Sequence, residues 1–202
     1  MYGLPQATIV KKRQLPKSKI FEAFDLKPSQ RESFDNDISR IDVVAVISPA
    51  TIPAIAKSEN ILGIYVLAVQ LKRKNYDAKN VALLSRFIPN KVVFALHFEE
   101  QVQFAINHTR LITSKWQLLT PNSSFLTLQG LSLDTVWDNI VISIGDIQVE
   151  DGKTVAEQIT ADDQKAKLLA QIAVLERKMA IEKQPRRKRE YFEQIKNLKH
   201  KL

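Results

Sequence analysis

Between Ile61 and His97 the chain changes its hydrophobic period twice. Ile61 to Lys72 carries Ile61, Leu62, Ile64, Val66, Leu67, Val69 and Leu71, a run apolar enough for a strand buried in a sheet. Asp77 then stands where a helix cap belongs, ahead of Val81, Leu84, Phe87 and Ile88, until Pro89-Asn90 interrupts the pattern and Lys91 to His97 forms another apolar run. Strands joined through a helix cannot close as a hairpin, so this unit predicts a parallel pair with the helix on one face. It places the chain in the α/β (α+β) class, and the rest of the sequence must be attached to it.

Ahead of the unit, the first 36 residues are polar and punctuated by Pro5, Pro16 and Pro28. Only Ser18 to Phe24 has helical spacing, which predicts one short helix near Pro16 to Asp25. Arg40 to Ser48, with Ile41, Val43, Val44, Val46 and Ile47, reads as a strand covered on both faces and ended by Pro49. Beyond the unit, Gln101 to Asn107, Leu111 to Leu118 and Ser124 to Gln129 read as shorter strands that extend the sheet antiparallel, making it mixed. Ser132 caps a predicted helix with Val136, Trp137, Ile140, Val141 and Ile144 on one stripe, and Gly145 stands where a left-handed cap residue belongs. Thr154 with Glu157 is a capping box for a short helix, and Thr160 with Asp163 repeats the signal for a long one. The expected division is a mixed α/β body over residues 1–150 and a basic α-helical arm over 151–202.

Charge is distributed in the same way. Residues 164–202 hold 12 Lys and Arg against 4 Glu, so the whole formal charge of +8 lies there and the preceding residues are neutral in sum. A basic arm on a neutral body points to an acidic or nucleic-acid partner. With Leu168 as reference on a helical wheel, Ile172, Leu175 and Met179 share its stripe at spacings of 4, 3 and 4, a seam suited to a partner helix or to a second copy in a homodimer. Phe192, Ile195, Leu198 and Leu202 fall on the opposite side of that wheel, and Pro185 lies between the two sets. Two helices are therefore expected, Ala161 to Lys183 and Pro185 to Leu202, folded as a hairpin or kinked apart. The run Arg186, Arg187, Lys188, Arg189 covers a full helical turn; it reads either as a solvated face or as a phosphate-binding patch without sequence preference.

The sequence has no cysteine, so it holds no disulfide, thiolate metal site or cysteine nucleophile, and a cytoplasmic location is the natural expectation. Its longest uncharged stretches, Val43 to Ala56 and Ile61 to Leu71, are well short of the roughly 20 apolar residues of a membrane helix. Neither a signal peptide nor a membrane partner is expected. His97, His108 and His200 show no metal-like or triad-like spacing, and the five glycines stand apart from one another, so no phosphate loop, cofactor or metal is predicted. One catalytic pattern is present. Asp42 near the start of one strand and Gln70-Leu71-Lys72 at the end of the next resemble the PD-(D/E)xK nuclease layout in its glutamine variant, in which the acidic and amide groups hold magnesium and the lysine activates water.

Several stretches together resemble a domain-of-unknown-function family of small bacterial and archaeal proteins: Asp37-Ile38, Ile88-Pro89-Asn90-Lys91-Val92-Val93-Phe94-Ala95-Leu96, Gly130-Leu131-Ser132-Leu133-Asp134, and Glu182-Lys183-Gln184 with Arg187-Lys188. The likeness covers nearly the whole chain. It implies an accessory role near DNA, because members tend to be encoded beside methyltransferases and helicases of restriction or phage-defence type, and it carries over no catalytic residue. The expected function is a non-enzymatic accessory subunit of such an assembly, with DNA and a helicase or methyltransferase as partners. A metal-dependent nuclease and a protein-binding adaptor are the alternatives.

Overall fold

The crossover is present. In the computed structural model, which describes residues 1–120 and 123–201, the strands Ile64–Leu71 and Lys91–Phe98 pair in parallel, from Ile64 beside Lys91 to Gln70 beside His97. In chain order the elements are β1 (Ile9–Gln14), α1 (Lys17–Ala23), α2 (Pro28–Asp37), β2 (Ile38–Ile47), β3 (Ile64–Leu71), α3 (Ala78–Phe87), β4 (Lys91–Phe98), β5 (Gln101–Asn107), β6 (Leu111–Thr113), β7 (Gln117–Leu118), α4 (Leu133–Gly145), α5 (Val155–Ile181) and α6 (Pro185–Lys199). The sheet is mixed and seven-stranded in the order β1-β2-β3-β4-β5-β6, with β7 also on β5. Every pairing except β3 with β4 is antiparallel.

Sequence chemistry accounts for the boundaries. Asp77 caps α3 by accepting from the Lys79 N–H at 2.9 Å, and Ser132 caps α4 by accepting from the Thr135 N–H at 3.3 Å. Ile20, Phe34, Ile41, Leu67, Val81, Leu84 and Phe94 form one core cluster. Helix α4 buries Leu133, Val136, Trp137, Ile140, Val141 and Ile144, and burying side chains of this size stabilises by about 1.5–3 kcal/mol each. Two compact units result, Met1–Ile147 and Gln148–Leu202.

Five local expectations need correction. The stretch Leu111 to Leu118 is not one strand but two short ones, β6 and β7, broken at residues 114–116. The N-terminal region holds more than one helix: β1 and α2 were not anticipated, because α2 has one large buried apolar side chain, Phe34, and so no stripe to read. The stretch 124–129 is not a strand; Phe125 and Leu126 donate their N–H groups to the Tyr2 carbonyl at 3.0 and 2.8 Å rather than to a ladder. Gly145 ends α4, and the left-handed residue is Asp146 at φ 50°. A Cβ on Gly145 would stand 2.8 Å from the Ile147 side chain, so close approach accounts for that glycine. Finally, the Thr154–Glu157 capping box starts the long helix itself, and Thr160 lies inside it with its hydroxyl donating to the Ala156 carbonyl at 2.8 Å.

The second unit is a helical hairpin, the first of the two arrangements expected for the tail. Helix α5 ends at Ile181, the Glu182 carboxylate accepts from the Lys183 and Gln184 N–H groups at 2.9 Å each, and Pro185 opens α6. The helices are antiparallel: Lys199 Nζ meets Glu176 Oε1 at 3.2 Å, and Ile172 and Ile195 are buried. Leu202 of the expected second stripe lies outside the described residues.

Candidate functional site

The N-terminal end of α6 displays Arg186, Arg187, Lys188 and Arg189, all exposed and the first three in its first turn. Arg186 reaches Glu190 at 3.5 Å, a long contact between exposed groups; among the described residues the other three form no ion pair. The turn contains no acidic residue. A helix N-terminus carries partial positive charge, so cations there oppose the dipole by about 0.3–1 kcal/mol each at low salt. The helix would be better served by aspartate or glutamate at these positions. Their presence therefore has no account in the stability of α6, whereas an external anion would find four charges and the helix terminus facing it.

The seam Leu168, Ile172, Leu175, Met179 lies on α5, and the structure leaves none of it fully exposed: Ile172 is buried and the other three are half-buried. The companion residues Ile195 and Leu198 are buried and half-buried on α6. A groove of about 610 Å3 beside them is lined by Val174, Leu175, Asn197 and Leu198.

A second feature lies on the face of the sheet in the first unit. A cleft of about 690 Å3 is lined by Tyr2, Arg40, Asp42, Gln70, His97 and Thr120, among others. Register puts three of these side by side, since Arg40 is opposite Gln70 and Gln70 is opposite His97 on successive strands β2, β3 and β4. Asp42, two residues along β2 from Arg40, accepts from Arg40 Nε at 2.7 Å and Nη2 at 2.9 Å. Hydrogen bonding to that carboxylate, with its charge, holds Arg40 above its ordinary pKa. The Tyr2 hydroxyl and His97 Nε2 are 2.6 Å apart, and burial pushes the Tyr2 phenol up, so it stays protonated. Tyr2 is in the left-handed region at φ 54°, an uncommon conformation for a bulky residue. Its ring packs edge-on against Phe104 with centroids 5.4 Å apart.

Asp42 and Gln70 do share the cleft, but Asp42 is the fifth residue of β2, not its start, because the strand begins at Ile38. Both its oxygens are engaged by Arg40. Lys72 stands beyond the end of β3, exposed and outside the cleft lining, with its backbone N–H on the Asp37 carbonyl at 2.8 Å. Among the described residues no three His, Cys, Asp or Glu side chains are placed to hold a metal ion. These residues do not fit a magnesium centre. Arg40 and Tyr2 escaped sequence reading: Arg40 and Asp42 at alternate strand positions were a legible cue, whereas nothing marked Tyr2.

The family model described as "Domain of unknown function (DUF4391)" matches residues 2–202. The chain belongs to this family. No curated protein and no solved structure matches it. In this DUF4391 chain the resembling stretches fall at structural junctions. Asp37-Ile38 joins α2 to β2, Ile88 to Leu96 enters and fills β4, Gly130 adopts φ 122° ahead of the Ser132 cap, and Glu182 to Gln184 turns the hairpin. No helix among the described residues is long and apolar enough to cross a membrane.

Proposed function

We propose that this protein is a non-enzymatic accessory subunit of a DNA-directed restriction or phage-defence assembly, and that its helical hairpin supplies contacts to the phosphate backbone. The observation that carries the reading is the placement of Arg186, Arg187, Lys188 and Arg189 at the exposed N-terminal end of α6, where cations oppose the helix dipole and, of the four, only Arg186 meets a carboxylate, at 3.5 Å. Phosphates would reverse that cost. The contacts position the protein and read no sequence, which suits an accessory subunit whose partner, a helicase or methyltransferase, selects the site. The defence setting comes from the resemblance described above.

The test is binding of the full chain to a fluorescent duplex at low salt, beside a variant with Arg186, Arg187, Lys188 and Arg189 all changed to Gln. Glutamine is a good helix former, so the hairpin persists. The reading expects the variant to bind unrelated duplexes more weakly and by a similar factor. Equal affinity of variant and wild type would contradict it.

A further inference from the structure

The sheet-face cleft is not used by the hairpin reading, and its polar groups are arranged in a way the fold does not require. The Arg40 side chain is 53% exposed, while the Asp42 side chain that holds it is 12% exposed. A half-exposed ion pair contributes little to stability, but the bidentate grip fixes the guanidinium plane. Nε and one Nη2 hydrogen are committed to Asp42, so three of the five guanidinium hydrogens remain, two of them side by side on its outer edge. Next to it, the Gln70 amide nitrogen makes only long contacts, 3.5 Å to the Leu71 carbonyl and 3.4 Å to the His97 carbonyl. It is therefore free to turn toward a ligand.

Neighbouring strands are about 4.8 Å apart. Arg40 and Gln70 leave these adjacent strands from opposed register positions and line the same cleft, and an anchored guanidinium suits a tetrahedral oxyanion better than a flexible ammonium. His97, with the Tyr2 hydroxyl on its Nε2, stands on the next strand over, and Leu119, Thr120 and Ser123 line the wall. The cleft, at about 690 Å3, has room for more than an inorganic ion.

We propose that this cleft binds a phosphate monoester of nucleotide size, with Arg40, set by Asp42, as the anion anchor and Gln70 as the second donor. The ligand is a free mononucleotide or the phosphorylated end of a strand, which share this chemistry. The site is independent of the cationic turn of α6 and stands or falls separately from it.

The experiment is calorimetric titration of the full chain with thymidine 5′-monophosphate, thymidine, inorganic phosphate, and a ten-nucleotide oligothymidylate with either a 5′-phosphate or a 5′-hydroxyl. The expected result is saturable one-to-one binding of the monophosphate, with thymidine weaker by about tenfold or more, the effect of losing charge-assisted hydrogen bonds. Gln70→Glu places a carboxylate at an exposed position without disturbing the core, and is expected to weaken the monophosphate by about tenfold or more through like-charge repulsion. Arg40→Gln combined with Asp42→Asn removes both charges together, so that neither is left unpaired, and should weaken the monophosphate at least as much. The four-fold Gln variant of α6 should bind the monophosphate as the wild type does. A 5′-phosphorylated oligonucleotide that outcompetes the mononucleotide identifies a strand end as the ligand, and the reverse order identifies the free nucleotide. Equal binding of thymidine and its monophosphate, binding unchanged by Gln70→Glu, or no binding of any phosphorylated probe would overturn the proposal. Loss of the monophosphate in the α6 variant would overturn it too, by moving the anion to the hairpin.

Discussion

Asp37 and Arg73 meet through a 2.5 Å hydrogen bond between Oδ1 and Nε, although the Asp37 side chain is fully buried and that of Arg73 is 55% exposed. The carboxylate closes the junction of α2 and β2 over the loop that leaves β3. Its other oxygen accepts from the Asp77 N–H and from Asn80 Nδ2, both at 2.7 Å. Burial pushes the pKa of Asp37 up, but these hydrogen bonds and the Arg73 charge outweigh it and hold it below the ordinary carboxylate range.

Replacing Asp37 by Asn leaves three donors aimed at a group with one acceptor oxygen, and should destabilise the first unit by about 3 kcal/mol. Arg73→Ala should cost only about 1 kcal/mol, because Arg73 is half-exposed and the two neutral donors remain. Denaturant melts compare the two variants, and a larger loss in Arg73→Ala would show that the ion pair, not the buried hydrogen bonding, holds the junction. The sign with pH follows from the lowered pKa. The contribution of Asp37 is complete above the unfolded value near 3.9 and is lost as pH falls through the lower folded value. Acid unfolding should therefore be less steep in Asp37→Asn than in the wild type.

Much of this body could be read from sequence because period and caps agree. Val81, Leu84 and Phe87 follow a capping Asp77, and the runs on either side of them are long and apolar. Where the structure is held by single residues no period exists to read. Helix α2 is anchored by Phe34 and Asp37, and Phe125 and Leu126 are tied to the Tyr2 carbonyl. The cationic turn could be located because it is contiguous in sequence. The cleft joins residue 2 to residues 40, 70 and 97; strand register brings the last three together, and Tyr2 reaches them from outside the sheet through its hydrogen bond to His97.

The seam on α5 separates two uses of the hairpin. If Leu175 and Met179 pack within the hairpin, changing both to Asp should cost about 2 kcal/mol or more each and reduce helicity in the isolated full chain, because charge is forced into an apolar interface. Unchanged circular dichroism and melting would mean that the seam serves a partner instead, as in the adaptor reading.

Truncation after Ile147 should leave a body that melts cooperatively, since the sheet and α1 to α4 all lie within the first unit. Loss of the cooperative transition would show that the hairpin completes the core.

Plasmid incubated with the protein and magnesium should remain intact, because the Asp42 oxygens are engaged by Arg40 and Lys72 lies outside the cleft. Cleavage that disappears in Lys72→Ala would reverse that conclusion and establish a nuclease.

Whether α6 meets phosphates through these four side chains is tested most directly by the salt dependence of duplex binding. Each phosphate contact contributes about 0.9 to the slope of log affinity against log salt concentration. With Arg186, Arg187, Lys188 and Arg189 changed to Gln, the slope should become shallower by about 3 to 4, to the same extent for unrelated duplex sequences. A slope identical to that of the wild type would contradict the account.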